Sequence, residues 1–492
     1  MSAVTWRLDA RRSYLAHARV LAGRHGPGPW PDGGEPLPDA PEAPPLLSDT
    51  VLDGIRAHHT ALDDGHDSAL ALAELIRTVP VDLRALHDAA ALVAPLEIAD
   101  DLVDQLRALH RDDLRTIGRW LAENGTMRSA VALGIILLGV AGDERDRELL
   151  LLLGALELLT LYAVVALRNT QPDHDRAVFE MARRVDGWGR IHAVERLTGS
   201  ADPRIRAWLL RDGFRNRILD EYLAYIAAAT GDLAGALAAD TIDEALLDGA
   251  GDILLALARG GPAEDMRDYT EAPLAIGRYL HHAGRAAPTL HRIGIVGALQ
   301  RFGADEGWQL AQRCADLTDR PDWRAVLDEA LASAELEKFH EAIWPAEQVG
   351  RYFTDRLRWH LSHHPYDRTL WFSLLDHHDV GVAVELATRL LPLADLATGP
   401  GLVLEEYGDT PSSVLDLVVS RLPEHPGTGS ALVRTALSNA TVRNRHMALN
   451  ALETWPPEDP PVGDLRAAEA LEPDDELRER LRAQLRRHVE RR

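Results

Sequence analysis

Apolar residues recur along most of this chain at the three-to-four-residue spacing of amphipathic α-helices. The clearest example is the stretch 185–230, which predicts three short helices joined by two tight turns. Asp202 and Pro203 begin its second helix as an N-cap and a proline in the first helical position. Residues 214–226 carry the apolar face of the third. Because Leu and Ala dominate and β-branched runs are scarce, the sequence predicts an all-α fold.

Prolines and glycines divide the chain into five predicted parts. The segment GRHGPGPWPDGGEPLPDAPEAPP cannot hold a helix, so it is a linker or an ordered coil on the surface, with Trp30 as a possible anchor. The predicted parts are an N-terminal helix (1–22), a Pro/Gly-rich linker (23–47), an N-terminal helical array with buried apolar helices (48–170), a repeat array (171–455), and a Pro-rich linker with a charged C-terminal helix (456–492). We expect the last helix to cap the array rather than to project freely.

Residues 130–167 are the most apolar part of the chain. A helix that is apolar all round is typical of the interior of a large helical protein, and a membrane hairpin is the alternative. The charged residues 143–148 and the lone Glu157 favour buried helices. In that case we expect Glu157 to pair with an arginine or to lie at the edge of the buried face.

Several helix pairs repeat a common pattern, seen in DPRIRAWLL at 202–210 and in TVRNRHMALNAL at 441–452. Both resemble the second half of a HEAT repeat, with Arg206 and Arg445 four residues beyond the capping position. In HEAT and armadillo-like proteins an aspartate and an arginine of successive repeats form a ladder; Asp202 matches that pattern, whereas Thr441 departs from it. The resemblance covers 170–460 loosely. It implies an α-solenoid of antiparallel helix pairs with a right-handed superhelix, and says nothing of activity.

Composition narrows the class of partner. A net charge of −24 disfavours binding to nucleic acid and to anionic membrane surfaces, which both need clustered cations. The single cysteine, Cys314, excludes a disulfide framework and a multi-thiolate metal site. It fits a reducing compartment, and the N-terminus carries no apolar signal segment. We therefore predict a cytoplasmic protein without nucleic-acid or membrane partners.

Histidines concentrate between 340 and 379. His360 and His364 are four residues apart, so a helix would place both on one face, as metal sites often require, and His377 with Asp379 could supply further ligands. The alternative is structural, because histidines in the last turn of a helix interact favourably with its dipole. Paired histidines are dispersed along the chain, at 58–59, 281–282, 363–364 and 377–378, which suggests a habit of composition.

The segment GWGRIHAVERL contains a second candidate group, formed by Trp188, Arg190, His192 and Glu195. His192 and Glu195 are three residues apart, which suits either an acid–base pair or a hydrogen-bonded pair on the surface of a repeat. Because tryptophan and arginine are common anchors of interfaces, we predict that these four residues contact a protein partner. The turn from Gly187 to Gly189 is not explained by the repeat pattern.

The sequence contains no G-x-S-x-G, phosphate-binding loop, dinucleotide fingerprint or kinase motif. We therefore expect a non-catalytic scaffold or adaptor that binds a protein through a concave groove, without a cofactor. Two alternatives remain open. One is a metal-dependent hydrolase using the histidines of 340–379, and the other is a nucleic-acid-binding HEAT-like protein.

Overall fold

The computed structural model of the chain describes residues 8, 10–41, 49–59, 65–109, 111–377, 380–404, 408–455 and 462–489. Over these residues the fold is all-α, as predicted, and one isolated bridge joins Val403 to Thr441. The chain divides into two compact units, Met1–Arg285 (unit 1) and Ala286–Arg492 (unit 2). The division falls inside the predicted repeat array 171–455.

Unit 1 contains sixteen of the described α-helices together with short 3-10 turns and one π turn. The helices are α1 (Tyr14–His25), α2 (Asp49–His59), α3 (His66–Arg77), α4 (Leu83–Ala90), α5 (Pro95–Ala108), α6 (Leu114–Asn124), α7 (Arg128–Ala141), α8 (Arg147–Gly154), α9 (Thr160–Thr170), α10 (His174–Ala182), α11 (Gly187–Glu195), α12 (Pro203–Trp208), α13 (Ala224–Gly231), α14 (Leu233–Ala236), α15 (Glu244–Arg259) and α16 (Ala272–Ala283). The 3-10 turns are Pro31–Gly34, Glu144–Asp146, Glu157–Leu159 and Asp220–Tyr222, and the π turn is Leu209–Gly213.

Unit 2 contains thirteen of the described α-helices and one 3-10 turn, Leu422–Glu424. The helices are α17 (Leu290–Asp305), α18 (Leu310–Thr318), α19 (Pro321–Leu331), α20 (Leu336–Gln348), α21 (Thr354–His363), α22 (Arg368–His377), α23 (Val380–Leu390), α24 (Leu393–Leu396), α25 (Pro411–Val419), α26 (Ser430–Leu437), α27 (Val442–Thr454), α28 (Val462–Leu471) and α29 (Asp475–Val489).

Aspartates at helix starts in unit 1 pair with arginines from an earlier helix or turn. The pairs are Asp173 with Arg147 (2.8 Å), Asp202 with Arg176 (3.4 Å) and Asp243 with Arg211 (2.6 Å). Each aspartate is the N-cap of its helix, so these carboxylates favour both the helix dipole and the neighbouring cation. Since the pairs are partly exposed, each contributes about 0–1 kcal/mol.

The apolar stretch 130–167 forms three buried helices, α7, α8 and α9. In the part of the chain that the structure describes, no helix is both long and apolar enough to cross a membrane. The run from Leu149 breaks at Leu156, which has extended backbone angles, and a 3-10 turn follows. Glu157 in that turn is buried and pairs with Arg217 at 3.4 Å, so the prediction of an arginine partner is confirmed.

The described part of the proline-rich segment is residues 23–41. α1 extends into it as far as His25, three residues beyond the predicted boundary, and an ordered coil with the 3-10 turn Pro31–Gly34 follows. Trp30 is buried and its indole N–H donates to the Gly26 carbonyl at 2.9 Å, which confirms it as an anchor. Asp39 accepts from the backbone N–H of Arg128 and from the Tyr14 hydroxyl. These contacts hold the coil against α1 and α7.

The prediction of a helix over 214–226 is wrong. Its first part is irregular, and α13 begins only at Ala224. The reason is Asn216, whose side-chain oxygen accepts from the N–H groups of Ile218 and Leu219, both at 2.9 Å. An asparagine that bonds the following backbone groups replaces the helical hydrogen bonds with a turn.

The charged C-terminal helix, α29, packs against unit 2 instead of projecting. Leu477 and Leu481 are buried, and Gln484 donates to the Leu452 carbonyl at 2.7 Å. Immediately before α29, Glu472 forms an ion pair with Arg445 at 2.7 Å in which both side chains are 1% exposed.

The ion pairs around Asp146 predict how a substitution there changes the stability of unit 1. Asp146 is fully buried and accepts from Arg115 (2.8 Å) and Arg119 (2.7 Å). Asp146→Asn removes the charge that both arginines contact, so we expect the free energy of unfolding to fall by about 1–3 kcal/mol at pH 7. Urea denaturation measures it. Glu144→Gln, an exposed neighbour, should change stability by less than about 0.5 kcal/mol.

The same ion pairs determine how the stability conferred by Asp146 depends on pH. Burial alone would raise the pKa of Asp146, but its hydrogen bonds with Arg115, the Asp143 N–H and Arg119 outweigh burial and lower the pKa. Because the pKa of Asp146 is lower in the folded state, its charge stabilises the protein fully at any pH above the pKa of the unfolded state, about 4. This stabilisation is lost as the pH falls through the pKa of the folded state. The difference between wild type and Asp146→Asn should therefore shrink below about pH 4. A difference independent of pH would contradict this account.

Candidate functional site

The structure brings two histidines and a glutamate together in unit 1. They are His58 from α2 and His192 and Glu195 from α11, and we refer to them as the HHE site. One ligand atom from each lies within 4.8 Å of the others. Among the described residues, this is the group of three or more His, Cys, Asp or Glu side chains that could hold a metal ion.

The local sequence determines how α11 presents its two ligands. Asp186 caps the helix by accepting from the Gly187 N–H at 2.8 Å, and Gly187 has a φ of +52°, which a glycine adopts without strain. His192 and Glu195 follow on one face because they are three residues apart. The Gly187–Gly189 turn, which the repeat pattern left unexplained, is thus the start of the helix that carries the site.

Close packing of α2 on α11 brings in the third ligand. A Cβ atom at Gly54 would overlap the indole ring of Trp188, so α2 can take this position only with a glycine there. His58 lies one helical turn after Gly54, and its ring centroid is 5.0 Å from that of Trp188 and 5.2 Å from that of His192. The missing side chain at residue 54 therefore places the His58 imidazole over α11.

Hydrogen bonding orients the His58 ring. Its Nδ1 lies 3.1 Å from the Gly54 carbonyl oxygen, which can only accept, so Nδ1 carries a proton. Its Nε2 lies 3.0 Å from Glu195 Oε1, a carboxylate oxygen that also only accepts. A second proton or a cation must therefore lie between Nε2 and Oε1. With a proton there, the hydrogen bond to Glu195 is the main cause that raises the pKa of His58.

Glu195 is held from both sides. Arg196 lies 3.3 Å from its second oxygen, Oε2, and also donates to the His192 carbonyl at 2.8 Å. Burial alone would raise the pKa of Glu195, but the adjacent His192 and His58 lower it to about 2. Burial lowers the pKa of His192, which favours its neutral, ligand-competent form. The site therefore offers one carboxylate and two ring nitrogens.

One of the separations between ligand atoms matches that expected around a metal ion. Two ligand atoms that each lie about 2.1 Å from a tetrahedral or octahedral ion are about 3.0–3.4 Å apart. The separation between His58 Nε2 and Glu195 Oε1 falls in this range, and His192 Nδ1 lies 3.9 Å from Glu195 Oε2. This second distance is longer than the range for two ligands of one ion, so metal binding would require the Glu195 carboxylate, which is 34% exposed, to move toward His192. Arg196 behind it would orient the ligand, as outer partners do in metal sites.

One cavity touches the HHE site, and a larger cleft lies next to that cavity. The cavity, of about 20 Å³, is lined by His192, Trp188 and Glu157 among others, and has room for about one water molecule. The cleft, of about 500 Å³, is bounded by α5, α7 and α9. The two share Leu96, Leu161 and Tyr162, and Arg196 lines the larger one. A cleft of this size can enclose a small molecule.

Most of the predicted partner-binding residues are buried in the interior of unit 1. Trp188, Arg190 and His192 are each less than 10% exposed, whereas a third of Glu195 is exposed. Arg190 points away from the HHE site and donates to the carbonyls of Val185 and Arg215. The expectation of a surface pair is therefore wrong for His192, because it is buried. Contact of these residues with a protein partner remains a prediction.

The residues that the sequence predicts as a metal site lie in unit 2, and only some of them are described. His360 is fully buried, stacks on Phe339 at 4.1 Å, and its Nε2 lies 3.1 Å from the Ser333 carbonyl. His364, at the end of α21, is exposed. The side chain of His377 and all of Asp379 lie outside the described residues. The described members of this cluster therefore do not form a metal-binding group.

Sequence reasoning missed His58. Its only signal was membership of the His58–His59 pair, one of several histidine pairs that the sequence analysis interpreted as a habit of composition. His59 bonds the Tyr222 hydroxyl, and Tyr222 packs edge-on against Trp188 at 5.2 Å. Because α2 and α11 are more than a hundred residues apart, no local spacing connects these rings.

No protein family, no curated protein and no solved structure matches this chain. The interpretation of the HHE site therefore depends on its own geometry.

The close contact between Gly54 and Trp188 predicts that a larger residue at position 54 destabilises unit 1. In Gly54→Ala the new methyl group overlaps the indole, so α2 must move away and the free energy of unfolding should fall by about 1–3 kcal/mol. Gly23→Ala in α1 is the matched control, since nothing lies within 4 Å of its Cβ position. Alanine is the better helix former, so the control should be neutral or more stable by up to about 1 kcal/mol. Equal effects of the two substitutions in urea denaturation would contradict the packing described.

Proposed function

We propose that this protein is metal-dependent, and that unit 1 binds one divalent ion of the zinc class at the HHE site. The observation that supports the proposal is the 3.0 Å separation of His58 Nε2 and Glu195 Oε1, two atoms that the surrounding hydrogen bonds leave as acceptors. A cation between them satisfies both. His192, buried and with a lowered pKa, supplies the third ligand.

The ligand set selects the class of ion. Two imidazoles and one carboxylate suit zinc and also non-haem iron(II), whereas magnesium and calcium prefer oxygen ligands. Three protein ligands are fewer than a structural zinc site uses and leave a coordination position for water or a ligand. We therefore assign the site to the open, reactive class of metal centres.

Of the functions considered, metal-dependent hydrolysis agrees best with this arrangement. A zinc-class ion supplies an activated water when it is bound in an open site. The cleft of about 500 Å³ offers space for a small substrate; it is lined by Arg196 and shares Leu161 and Tyr162 with the small cavity at His192. Glu157 lines the same small cavity as His192, where its carboxylate can accept or return a proton. The sequence analysis favoured a non-catalytic scaffold and gave metal-dependent hydrolysis as an alternative that used the histidines of 340–379. The present proposal adopts that alternative and assigns it to the HHE site.

Metal binding by untagged protein tests the proposal. After chelation and dialysis, titration calorimetry should show about one zinc ion bound per chain, and His58→Ala should weaken binding by about 100-fold. His364→Ala is the matched control, because it removes a histidine of the other predicted cluster and should leave the affinity unchanged. Zinc-dependent cleavage of generic nitrophenyl esters should be lost in His58→Ala alone.

Two results would contradict the proposal. One is an affinity that falls in His364→Ala but not in His58→Ala. The other is wild-type protein that binds no zinc and retains a hydrogen bond between His58 and Glu195, visible as a downfield imidazole proton in nuclear magnetic resonance spectra.

We also propose that the helices form HEAT-like antiparallel pairs in a solenoid that presents surfaces to a protein partner. The arginine–aspartate pairs at the starts of α10, α12 and α15 support the repeat architecture. Support for a partner comes from Tyr352 in unit 2, which is 89% exposed. It lines an open groove of about 480 Å³ together with Arg351 and Arg356. Tyrosine and arginine are frequent anchors of interfaces.

Protein binding at Tyr352 can be tested by affinity capture from native lysate. Tyr352→Ala removes an exposed aromatic side chain, so we expect stability to be retained and a stoichiometric partner to be lost. Leu471→Ala, which truncates another exposed apolar side chain of unit 2, is the control and should retain the partner. Identical capture by both variants would contradict this surface.

A further inference from the structure

Unit 2 contains a short extended segment whose apolar side chains are exposed. Leu402, Val403 and Leu404 are 64%, 48% and 81% exposed. The other large apolar residues that are exposed in the described part of the chain occur singly along the sequence. Single exposed apolar residues need no explanation, whereas a contiguous run of them is typical of an interaction site. Neither proposal above uses this segment.

One edge of the segment is fixed to the body of unit 2. Val403 donates its N–H to the Ala440 carbonyl at 3.3 Å and accepts from the Val442 N–H at 3.1 Å, which is the hydrogen-bond pattern of a parallel bridge. The Gly401 carbonyl accepts from Nη2 of Arg445, a side chain that is 1% exposed, at 2.7 Å. Gly401 and Val403 therefore direct main-chain groups toward the interior, and the segment is held rigidly.

The opposite edge of the segment is unpaired. Successive residues of an extended chain direct their N–H and C=O groups to opposite edges, so Leu402 and Leu404 direct theirs outward. Among the described residues, none bonds to the main-chain N–H or C=O group of either leucine. Pro400 has no N–H group and therefore limits this edge on one side. An exposed apolar edge of this kind is a template for pairing with a further strand.

The sequence of the edge indicates which strand fits it. Leu-Val-Leu reads identically in both directions, so two copies related by a two-fold axis present matching residues to each other. Antiparallel pairing centred on Val403 places Leu402 opposite Leu404 of the partner subunit. The two leucines then form a hydrogen-bonded pair that uses the outward N–H and C=O groups of both residues. Val403 faces its own copy in a non-hydrogen-bonded pair, as its inward-directed groups require.

We propose that two copies of this chain form an antiparallel dimer through residues 402–404 of unit 2. Because the contact is short, the dimer is weak and reversible. The net charge of −24 on each copy opposes association, and physiological salt screens this repulsion beyond about 8 Å. The dimer depends neither on metal at the HHE site nor on the surface around Tyr352.

Cysteine cross-linking tests both the pairing and its register. In Val403→Cys the two new thiols lie in the non-hydrogen-bonded pair, where Cα atoms are about 4.5 Å apart and a disulfide can form. In Leu402→Cys the two thiols lie diagonally, about 7–8 Å apart, which a disulfide does not span. Mild oxidation should therefore yield a covalent dimer at least about tenfold faster in Val403→Cys. Collision without pairing would favour Leu402→Cys, because residue 402 is the more exposed, and Cys314 is buried.

Sedimentation velocity measures the association of the full-length protein without cross-linking. The wild type should shift toward dimer as its concentration rises. Leu404→Lys should weaken the association by at least about tenfold, because a charge on an exposed edge opposes strand pairing. Leu471→Lys, at another exposed leucine of unit 2, is the matched control and should associate as the wild type does.

Three results would overturn the proposal. The first is a wild-type protein that stays monomeric at every concentration, whether or not it binds another protein. The second is equal association of Leu404→Lys and the wild type, with circular dichroism showing that the variant is folded. The third is cross-linking of Leu402→Cys at least as fast as that of Val403→Cys.

Discussion

The packing of the Trp188 indole over Gly54 is the constraint on which the candidate site depends. A side chain at residue 54 would collide with the ring, so the glycine sets the distance between α2 and α11. His58, one turn further along α2, is then held above His192 and beside Glu195. At the other end of α11, the turn at Gly187 packs against the buried Glu157. A metal site on surface loops would have no such fixed geometry.

Much of the fold could be predicted from the sequence because helical periodicity and end signals are local. Asp202 caps α12 as predicted, since its side chain accepts from the Arg204 N–H at 2.8 Å. The prediction over 214–226 was wrong because an apolar period does not reveal where a side chain captures the backbone, as Asn216 does. The division of the chain after Arg285 reflects contacts between distant helices, which local patterns do not encode.

Two of the three residues of the HHE site could be singled out from the sequence. His192 and Glu195 share a face by their spacing, but His58 joins them through tertiary packing, and its role could not be inferred from neighbours in the chain. The converse holds for His360, whose spacing to His364 suits a metal. Its ring is instead stacked on Phe339 in the interior of unit 2, because burial depends on packing that helical spacing alone does not specify. Helical spacing therefore places His192 and Glu195 together in the HHE site, whereas it does not keep His360 and His364 together.

The central claim is that a cation occupies the space between His58, His192 and Glu195. X-ray diffraction from crystals of the zinc-loaded protein, measured on both sides of the zinc absorption edge, tests it most directly. The account predicts one anomalous peak in unit 1, about 2.0–2.2 Å from His58 Nε2, a His192 ring nitrogen and a Glu195 oxygen. A peak beside His364 instead, or an empty site with His58 hydrogen-bonded to Glu195, would contradict it.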